Sequence, residues 1–501
     1  MSTPPLLSTT RRRWSGAVDP LRALAHLRRR HGDAAFLLES AAGPSTDART
    51  TIVGVAGAAE VAVHDRTVTL RGEDALVDAL RTALRVHGLA TGAPTGDGDV
   101  LRLTEDDALW RLAELVVAVA HGDARVDDAQ PAETTPTELL SAWGWDAVRY
   151  AEDLPAPAPH RGRDAPPAVW HSLVRAALVV DVRTGTAEVV SHEGPGWTAA
   201  DTRRFVDGLA CLDPARDADD EPPPDVPRPL SVVDETTRED WLRRARTCAE
   251  HVLDGDLYQV QLGHEVRVRT RATPEVVLAR LRHRDPSPYT GLVAVEGRTL
   301  VAASPELFVR TDGRRAVLRP IAGTAPGGPD DPGRAPLGHD PKERAEHVML
   351  VDLCRNDLGR VATTGTVEVT SLLAVEPYAH LHHLVSTVEA DLEPGTSLGD
   401  VVRACFPAGT MAGAPKVEAV SVIDALETSP RGLYAGAFGL VGRGGTAVLG
   451  LTIRAAVREG DEWVLRASAG IVAGSTPEGE WRETLLKMTS PWWAVTGEEP
   501  S

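Results

Sequence analysis

The sequence predicts an α+β protein, because helical and strand patterns follow one another from its first residues onward. Residues 21–30 have the apolar spacing of a short amphipathic helix, and residues 34–40 form an apolar run that ends in a polar pair. Residues 51–57 and 61–70 have the composition and alternation of strands, and we expect them to be adjacent strands. A helix followed by several short strands is typical of an α+β domain.

The next stretch adds a hairpin between surface connections. Residues 168–191 contain two apolar runs separated by the turn-forming residues 181–185, which predicts a β-hairpin. Residues 87–106 and 123–137 are rich in Gly, Thr, Pro and acidic residues, and we expect them to be surface connections.

The most obvious boundary is the acidic, Pro-rich stretch 213–228. After it, residues 238–253 have a helical pattern that Thr236 or Thr237 can cap, and residues 257–262 have a strand pattern. We therefore divide the chain into an N-terminal, regulatory-like region, a catalytic domain and a short tail: 1–228, 229–492 and 493–501.

Length and composition limit the classes of protein that need consideration. A chain of 501 residues, 42% hydrophobic and 25% charged, can bury a large core in two domains or in one composite domain. The net charge of −19 argues against a nucleic-acid partner. The four cysteines lack the spacing of zinc ligands or of a disulfide framework, which favours a reducing, cytoplasmic location. We expect neither a signal peptide nor a membrane-spanning segment, because no apolar run has the required length.

Two glutamate pairs suggest a metal site. Glu343 and Glu346, and likewise Glu480 and Glu483, are three residues apart, which places both carboxylates of each pair on one helix face. Pro341 suits the first turn of the first helix. Such pairs are most often solvated. Four carboxylates that converge, however, require protonation or a hard cation such as Mg²⁺.

An ordered series of short strings resembles the chorismate-utilising enzymes, and within them the large subunit of anthranilate synthase. The resemblance is strong over residues 236–489 and thin before residue 228. The strings, in chain order, are Asp256-Leu257-Tyr258-Gln259-Val260, Ser304-Pro305-Glu306, Pro320-Ile321-Ala322-Gly323-Thr324, Arg355-Asn356-Asp357-Leu358-Gly359, Phe406-Pro407-Ala408-Gly409-Thr410, Tyr434-Ala435-Gly436, Gly470-Ile471-Val472 and Glu480-Trp481-Arg482-Glu483-Thr484. The resemblance implies two antiparallel sheets packed face to face with helices outside, and an active site between them.

The resemblance also implies roles for individual residues. Glu306 matches the general acid that protonates the leaving ring hydroxyl, and His383 matches the histidine implicated in pyruvate elimination. Lys487 would help to neutralise the pocket, and Gln259 matches the position at which some relatives carry a catalytic lysine. The implied Mg²⁺ ligands are Glu346 and Glu483, with Glu343 and Glu480 close by. The implied substrate-binding residues are Ala322, Gly323, Thr324, Tyr434, Arg454, Ser468 and Gly470.

Two positions discriminate among the branches of this family. Water-adding relatives carry a lysine base where this chain has Gln259, and glutamine cannot act as a base. Relatives that form 4-amino-4-deoxychorismate carry a nucleophilic lysine where this chain has Ala322. Ammonia attack at ring C2 of chorismate remains, giving 2-amino-2-deoxyisochorismate and, after pyruvate elimination, anthranilate. The alternative is an enzyme that stops at the aminated intermediate, in specialised metabolism.

The ammonia must come from elsewhere, because no cysteine has the flanking glycines of a glutaminase nucleophile elbow. We therefore expect a separate glutaminase subunit, or free ammonium in vitro. A non-catalytic chorismate-binding subunit is a less favoured alternative, since the implied active-site set is retained. A zinc site at the histidines of residues 380–383 is also less favoured, because strand alternation sends His382 and His383 to opposite faces.

An inhibitor site is implied by Glu39 and Ser40, completed by Pro288 and Tyr289. Several positions around it depart from the family pattern, which argues against tryptophan feedback. Ser468 is a further departure, because the family usually has a glycine there beside the substrate carboxylate.

Overall fold

The computed structural model describes residues 5–47, 49–92, 94–95, 98–122, 135–154, 165–212, 222–327, 337–339, 341–378 and 381–500. Most of the predicted surface connection 123–137, the acidic part of the boundary stretch 213–228, and His380 lie outside these ranges. Within them, no helix is long and apolar enough to cross a membrane.

Strands make up about half of the regular structure of the described residues. The strands are β1 (Ser8–Trp14), β2 (Ala35–Glu39), β3 (Thr50–Val55), β4 (Ala59–His64), β5 (Thr67–Gly72), β6 (Ala90–Thr91), β7 (Pro94–Thr95), β8 (Gly98–Asp99), β9 (Leu101–Leu103), β10 (Leu139–Trp143), β11 (Val169–Leu173), β12 (Ala176–Asp181), β13 (Ala187–Glu193), β14 (Ser231–Asp234), β15 (Gln259–Arg269), β16 (Tyr289–Val295), β17 (Arg298–Ser304), β18 (Leu307–Asp312), β19 (Arg315–Arg319), β20 (Ile321–Pro326), β21 (Glu368–Pro377), β22 (Leu381–Asp391), β23 (Gly413–Ala414), β24 (Ala437–Val441), β25 (Thr446–Leu451), β26 (Ala455–Glu459) and β27 (Glu462–Ile471).

The α-helices lie between these strands along the chain, except for the last helix, which follows β27. They are α1 (Pro20–His31), α2 (Asp74–Val86), α3 (Asp107–Trp110), α4 (Leu112–His121), α5 (Ala199–Ala210), α6 (Arg238–Asp254), α7 (Pro274–Arg284), α8 (Pro341–Gly359), α9 (Leu398–Cys405), α10 (Gly409–Ala412), α11 (Lys416–Leu426) and α12 (Pro477–Thr496).

Two large antiparallel sheets organise the molecule, which confirms the predicted α+β class and two-sheet architecture. The first sheet has the order β1-β13-β12-β3-β2-β16-β17-β26-β27-β15-β14, with β23 paired to β15. The second has the order β20-β22-β19-β18-β25-β24-β10-β11-β4-β5-β9-β6, with β21 paired to β22. One buried apolar cluster contains Phe36 and Val293 of the first sheet together with Trp170 and Phe438 of the second, so the sheets pack against each other.

Both sheets run across the proposed boundary at residue 228. In the first sheet Thr290 of β16 is paired with Glu39 of β2, and in the second Ser141 of β10 is paired with Gly439 of β24. The division at residue 228 therefore stays a prediction about function, because the two sequence regions share their sheets.

The predicted helices of the second half are confirmed. Thr237 caps α6, its side chain accepting a hydrogen bond from the backbone N–H of Asp240. Pro341 begins α8 and Pro477 begins α12, so each glutamate pair lies near the N-terminal end of its helix.

The predicted adjacency of strands 51–57 and 61–70 is wrong. Strand β3 lies in the first sheet, whereas β4 and β5 form a hairpin in the second. Asp65 and Arg66 at its turn have φ angles of 43° and 63°, the left-handed conformation of a tight hairpin turn. The predicted hairpin in residues 168–191 is confirmed as β12 and β13, although the first apolar run also contains part of β11.

Candidate active site

Glu306 is buried in the link between β17 of the first sheet and β18 of the second. Burial raises the pKa of its carboxyl group to about 8, although the hydroxyl of Thr410 donates a 2.9 Å hydrogen bond to Oε1. The carboxyl group therefore keeps its proton at neutral pH and can act as an acid.

His383 lies on β22, where it is paired with Thr324 of β20. Its Nδ1 is 3.3 Å from the carbonyl oxygen of Gly323, and because a carbonyl can only accept, Nδ1 carries the proton. Burial, and then the charge of Arg454, lower the pKa of the imidazole to about 4. The ring is thus neutral, and Nε2 is the nitrogen able to accept a proton.

Gly323 brings the backbone of β20 close to a carboxylate. Its φ angle is 63°, and a Cβ at this position would lie 2.8 Å from Oε2 of Glu343. Only glycine meets both conditions without strain. Ala322 and Thr324 flank it on β20, although the side chain of Thr324 is not among the described parts. The string 320–324 and the first glutamate pair are therefore neighbours.

Gln259 connects the other member of that pair to the first sheet. Its Nε2 donates a 2.7 Å hydrogen bond to Oε1 of Glu346. Within the described residues its carbonyl Oε1 is buried and has no hydrogen-bond partner. A Cβ at Gly470 would lie 2.5 Å from Nε2 of Gln259, so glycine at this position leaves room for the amide.

The second glutamate pair lies on α12, and Lys487 connects it to β27, the strand that contains Gly470. Nζ of Lys487 lies 2.7 Å from Oε1 of Glu483 and donates a 3.1 Å hydrogen bond to the carbonyl oxygen of Ser468. Glu480 is buried on α12, about one helical turn before Glu483. Ser468 is two residues from Gly470, so α8 and α12 direct carboxylates to the same end of β27.

The hydroxyl group of Ser468 contacts two polar side chains. Its Oγ is 3.0 Å from the hydroxyl oxygen of Tyr434 and donates a 3.0 Å hydrogen bond to Oε1 of Gln261. All three side chains are buried.

Residues 447–457 have the sequence pattern of one strand, but Arg454 does not lie in a strand. Strand β25 ends at Leu451 in the second sheet, and β26 begins at Ala455 in the first. Arg454 lies in the crossing segment with a φ angle of 49°, which a non-glycine residue adopts at an energetic cost. Its backbone carbonyl accepts a 3.1 Å hydrogen bond from Ala303. Its cationic charge lies near enough to His383 to affect the pKa of that residue.

Among the described residues, no group of three or more His, Cys, Asp or Glu side chains is already arranged around a metal position. The donor chemistry still suits Mg²⁺, which prefers carboxylate oxygens. Glu346 is held by Gln259 and Glu483 by Lys487, so a cation would exchange these contacts for its own.

Residues 91–492 match the family model described as chorismate binding enzyme. This chain is a chorismate-binding enzyme. A 2-amino-4-deoxychorismate synthase from Streptomyces globisporus is 42% identical over 493 residues, which cover 97% of this chain and 95% of the relative. Anthranilate synthase component 1 from Streptomyces coelicolor is 37% identical over 375 residues, covering 71% and 72%. The solved structure of anthranilate synthase component I from Streptococcus pneumoniae TIGR4 has a TM-score of 0.70 at 24% identity, covering 89% and 92%. The family resemblance of the sequence motifs is thus confirmed, and so is the fold.

A cavity of about 410 Å³ in this chorismate-binding enzyme is lined by all four residues of the implied inhibitor site, Glu39, Ser40, Pro288 and Tyr289. Arg282 binds both carboxylate oxygens of Glu39, at 2.7 and 3.0 Å. The hydroxyl of Tyr289 donates a 3.0 Å hydrogen bond to Asp47. The structure thus brings these four residues together, and their role as an inhibitor site stays a prediction.

Sequence reasoning missed several contact residues of this enzyme. Thr410 lies inside a motif string, so its position could have suggested a role. Gln261 follows Gln259 on the same face of β15 and could have been found from strand alternation. Arg282 and Asp47 have no comparable signal, because their contacts join residues 243 and 242 positions apart in the chain.

Proposed function

We propose that this chorismate-binding enzyme aminates chorismate at ring C2 with ammonia. The observation that carries the proposal is the environment of Gln259. Its amide is held by Glu346, and its buried carbonyl oxygen can accept a hydrogen bond from ammonia. The amide cannot take a proton from water, so the residue does not suit hydration of the ring.

Each step of the proposed reaction has a residue of this chain to support it. The nitrogen of ammonia forms a bond to C2, the ring double bonds shift, and the C4–oxygen bond breaks. Protonated Glu306 gives its proton to the departing hydroxyl, which leaves as water. The added nitrogen then gives a proton to solvent and becomes a neutral amine, and the Glu306 carboxylate takes up a proton from solvent, which restores the acid.

Charge must also be neutralised, because chorismate carries two carboxylates and the chain has a net charge of −19. We assign Mg²⁺ to Glu346 and Glu483, with Glu343 and Glu480 nearby, where it would screen a substrate carboxylate from these side chains. Arg454 and Tyr434 are assigned to the other substrate carboxylate, and Lys487 adds a positive charge to the metal side of the pocket.

The product that we favour is the aminated ring that keeps its enolpyruvyl group, 2-amino-2-deoxyisochorismate. The relative that matches nearly the whole chain has a name that specifies an amino group at C2 and a missing hydroxyl at C4, which this addition and loss of water would give. The second candidate is anthranilate. It is favoured by neutral His383, whose Nε2 could take the proton that must leave for pyruvate to be eliminated.

The ammonia source is assigned to a separate glutaminase subunit. Cys248 and Cys405 are buried, and burial raises the pKa of the Cys248 thiol to about 12, so it is not a nucleophile at neutral pH. We place the reaction in the reducing cytoplasm, because the four cysteines lack the spacing of a disulfide framework.

The test is an incubation of the purified chain with chorismate, Mg²⁺ and ammonium at alkaline pH, followed by mass spectrometry and an enzymatic pyruvate assay. An aminated product without pyruvate supports the favoured product, and anthranilate with equimolar pyruvate supports the second candidate. Isochorismate as the product, or no conversion that depends on Mg²⁺ and ammonium, would refute the proposed function.

A further inference from the structure

Tyr434, Ser468 and Gln261 form a chain of hydrogen bonds in the interior of the protein. Tyr434 follows α11 along the sequence, Ser468 lies on β27 and Gln261 lies on β15. The two contacts made by Ser468 Oγ are both 3.0 Å long. Because all three side chains are buried, each hydrogen bond is formed in a medium of low polarity and each missing one is costly.

The direction of these hydrogen bonds is fixed at one end. Oε1 of Gln261 is a carbonyl oxygen and can only accept, so the single hydroxyl proton of Ser468 points to it. Ser468 Oγ then has no proton left for Tyr434, and the hydroxyl of Tyr434 must be the donor in their contact. The proton of Tyr434 therefore points to Ser468. Toward a ligand, the Tyr434 hydroxyl can then only accept a hydrogen bond.

This direction is unsuited to the role assigned to Tyr434 under the proposed function. A substrate carboxylate accepts hydrogen bonds and would meet the lone pairs of the Tyr434 oxygen. A half-turn of the Gln261 amide exchanges Oε1 and Nε2 and reverses the chain. Gln261 then donates to Ser468, Ser468 donates to Tyr434, and the proton of Tyr434 is released toward the substrate.

We propose that Ser468 is a positioning residue that couples the hydroxyl proton of Tyr434 to the amide orientation of Gln261, so that a substrate carboxylate is bound only after the chain reverses. The inference rests on the proposed function, which places a substrate carboxylate at Tyr434. A glycine at position 468 is usual in the family that the motifs resemble. It would lack the hydroxyl, so the Tyr434 proton would be available to a substrate carboxylate without any reversal.

The test is a set of mutant cycles read out as the dissociation constant of chorismate in the presence of Mg²⁺, measured by calorimetry without ammonium. Tyr434→Phe is combined with Ser468→Ala, and independently with Gln261→Met. Either second substitution breaks the chain, by removing its middle or its terminal acceptor. Thermal unfolding checks that each variant is folded, and Ser468→Thr keeps the hydroxyl and serves as the conservative control.

Tyr434→Phe should weaken chorismate binding by about twofold to threefold when Ser468 and Gln261 are intact, because part of the hydrogen-bond energy is spent on reversal. In the Ser468→Ala and Gln261→Met backgrounds the same substitution should weaken binding by about tenfold. Ser468→Thr should restore the smaller effect.

An equal effect of Tyr434→Phe in all backgrounds would overturn the inference while leaving the proposed function intact. Tight chorismate binding by the unaltered chain without any aminated product would refute the function, and the cycle would still decide the inference. Absence of chorismate binding to the unaltered chain would refute both.

Discussion

Thr410 donates a 2.9 Å hydrogen bond to the carboxyl group of Glu306, and this contact favours the ionised form of a group that burial keeps protonated. Glu306→Gln removes the acid while keeping the shape, and we expect kcat to fall by about a hundredfold to ten-thousandfold. Steady-state kinetics, with circular dichroism as a check on folding, measure this. A fall of less than tenfold would remove Glu306 from the acid role.

The same pair predicts a pH dependence. Under the proposed function protonated Glu306 is the acid, and its pKa is about 8, so activity corrected for the concentration of free ammonia should fall as the pH rises through that value. Thr410→Val removes a contact that lowers the pKa of Glu306, so the midpoint of this fall should move to higher pH. A midpoint that stays in place in Thr410→Val would contradict this account.

Glu306 also predicts a trend in stability. Its pKa is raised in the folded state, so the folded state binds the extra proton between the ordinary carboxyl pKa and about 8. The free energy of unfolding should therefore decrease as the pH rises through that window. Denaturant titrations should show a shallower decrease in Glu306→Gln, and an equal slope in both proteins would count against the buried acid.

Gly323 and Gly365 allow a matched test of the contact with Glu343. Both have a left-handed backbone, with φ angles of 63° and 85°, but a Cβ at Gly365 would meet nothing within 4 Å. Each Gly→Ala substitution should cost about 1 kcal/mol of backbone strain. Gly323→Ala alone should also displace Glu343, and we expect it to raise the Mg²⁺ concentration for half-maximal activity several-fold. Similar Mg²⁺ requirements in the two variants would argue against Glu343 at the metal.

Glu346 and Glu483 are the proposed metal ligands that polar side chains now hold. Glu346→Gln and Glu483→Gln should each raise the Mg²⁺ concentration for half-maximal activity at least about tenfold, because each substitution removes one charged ligand. Glu478→Gln is the control. Glu478 lies on α12 together with Glu483, but its side chain is exposed and near Arg246. Mg²⁺ titrations of activity and of chorismate binding measure the requirement, and a Glu478 variant as impaired as the other two would undermine the assignment.

His383 should separate the two candidate products. If anthranilate is formed, His383→Gln should retain amination and lose pyruvate release, because glutamine at this position can donate to Gly323 but cannot accept a proton. Product ratios by mass spectrometry decide this. Pyruvate release at an unchanged rate would exclude His383 as the base.

The sequence alone determined the features that depend on residues close together along the chain. The cap Thr237 and the first-turn residue Pro341 set where two helices begin, and both helices begin where expected. The ordered strings determined the family, because side chains that act on one substrate keep their spacing along each strand or helix. Gln259 and Ala322 argued against two of the family's reactions, because neither side chain can replace the lysine that hydration or 4-amination requires.

The tertiary structure decided everything that depends on which strands become neighbours. Residues 447–457 look like one strand, yet the chain changes sheets within them and places Arg454 in the crossing with a left-handed backbone. The contact of Gln259 with Glu346 joins residues 87 positions apart, and that of Ser468 with Tyr434 joins residues 34 positions apart. A sequence pattern records the preference of each segment for helix or strand, but strand order is set by packing two sheets around one core, and that order brings these side chains into contact.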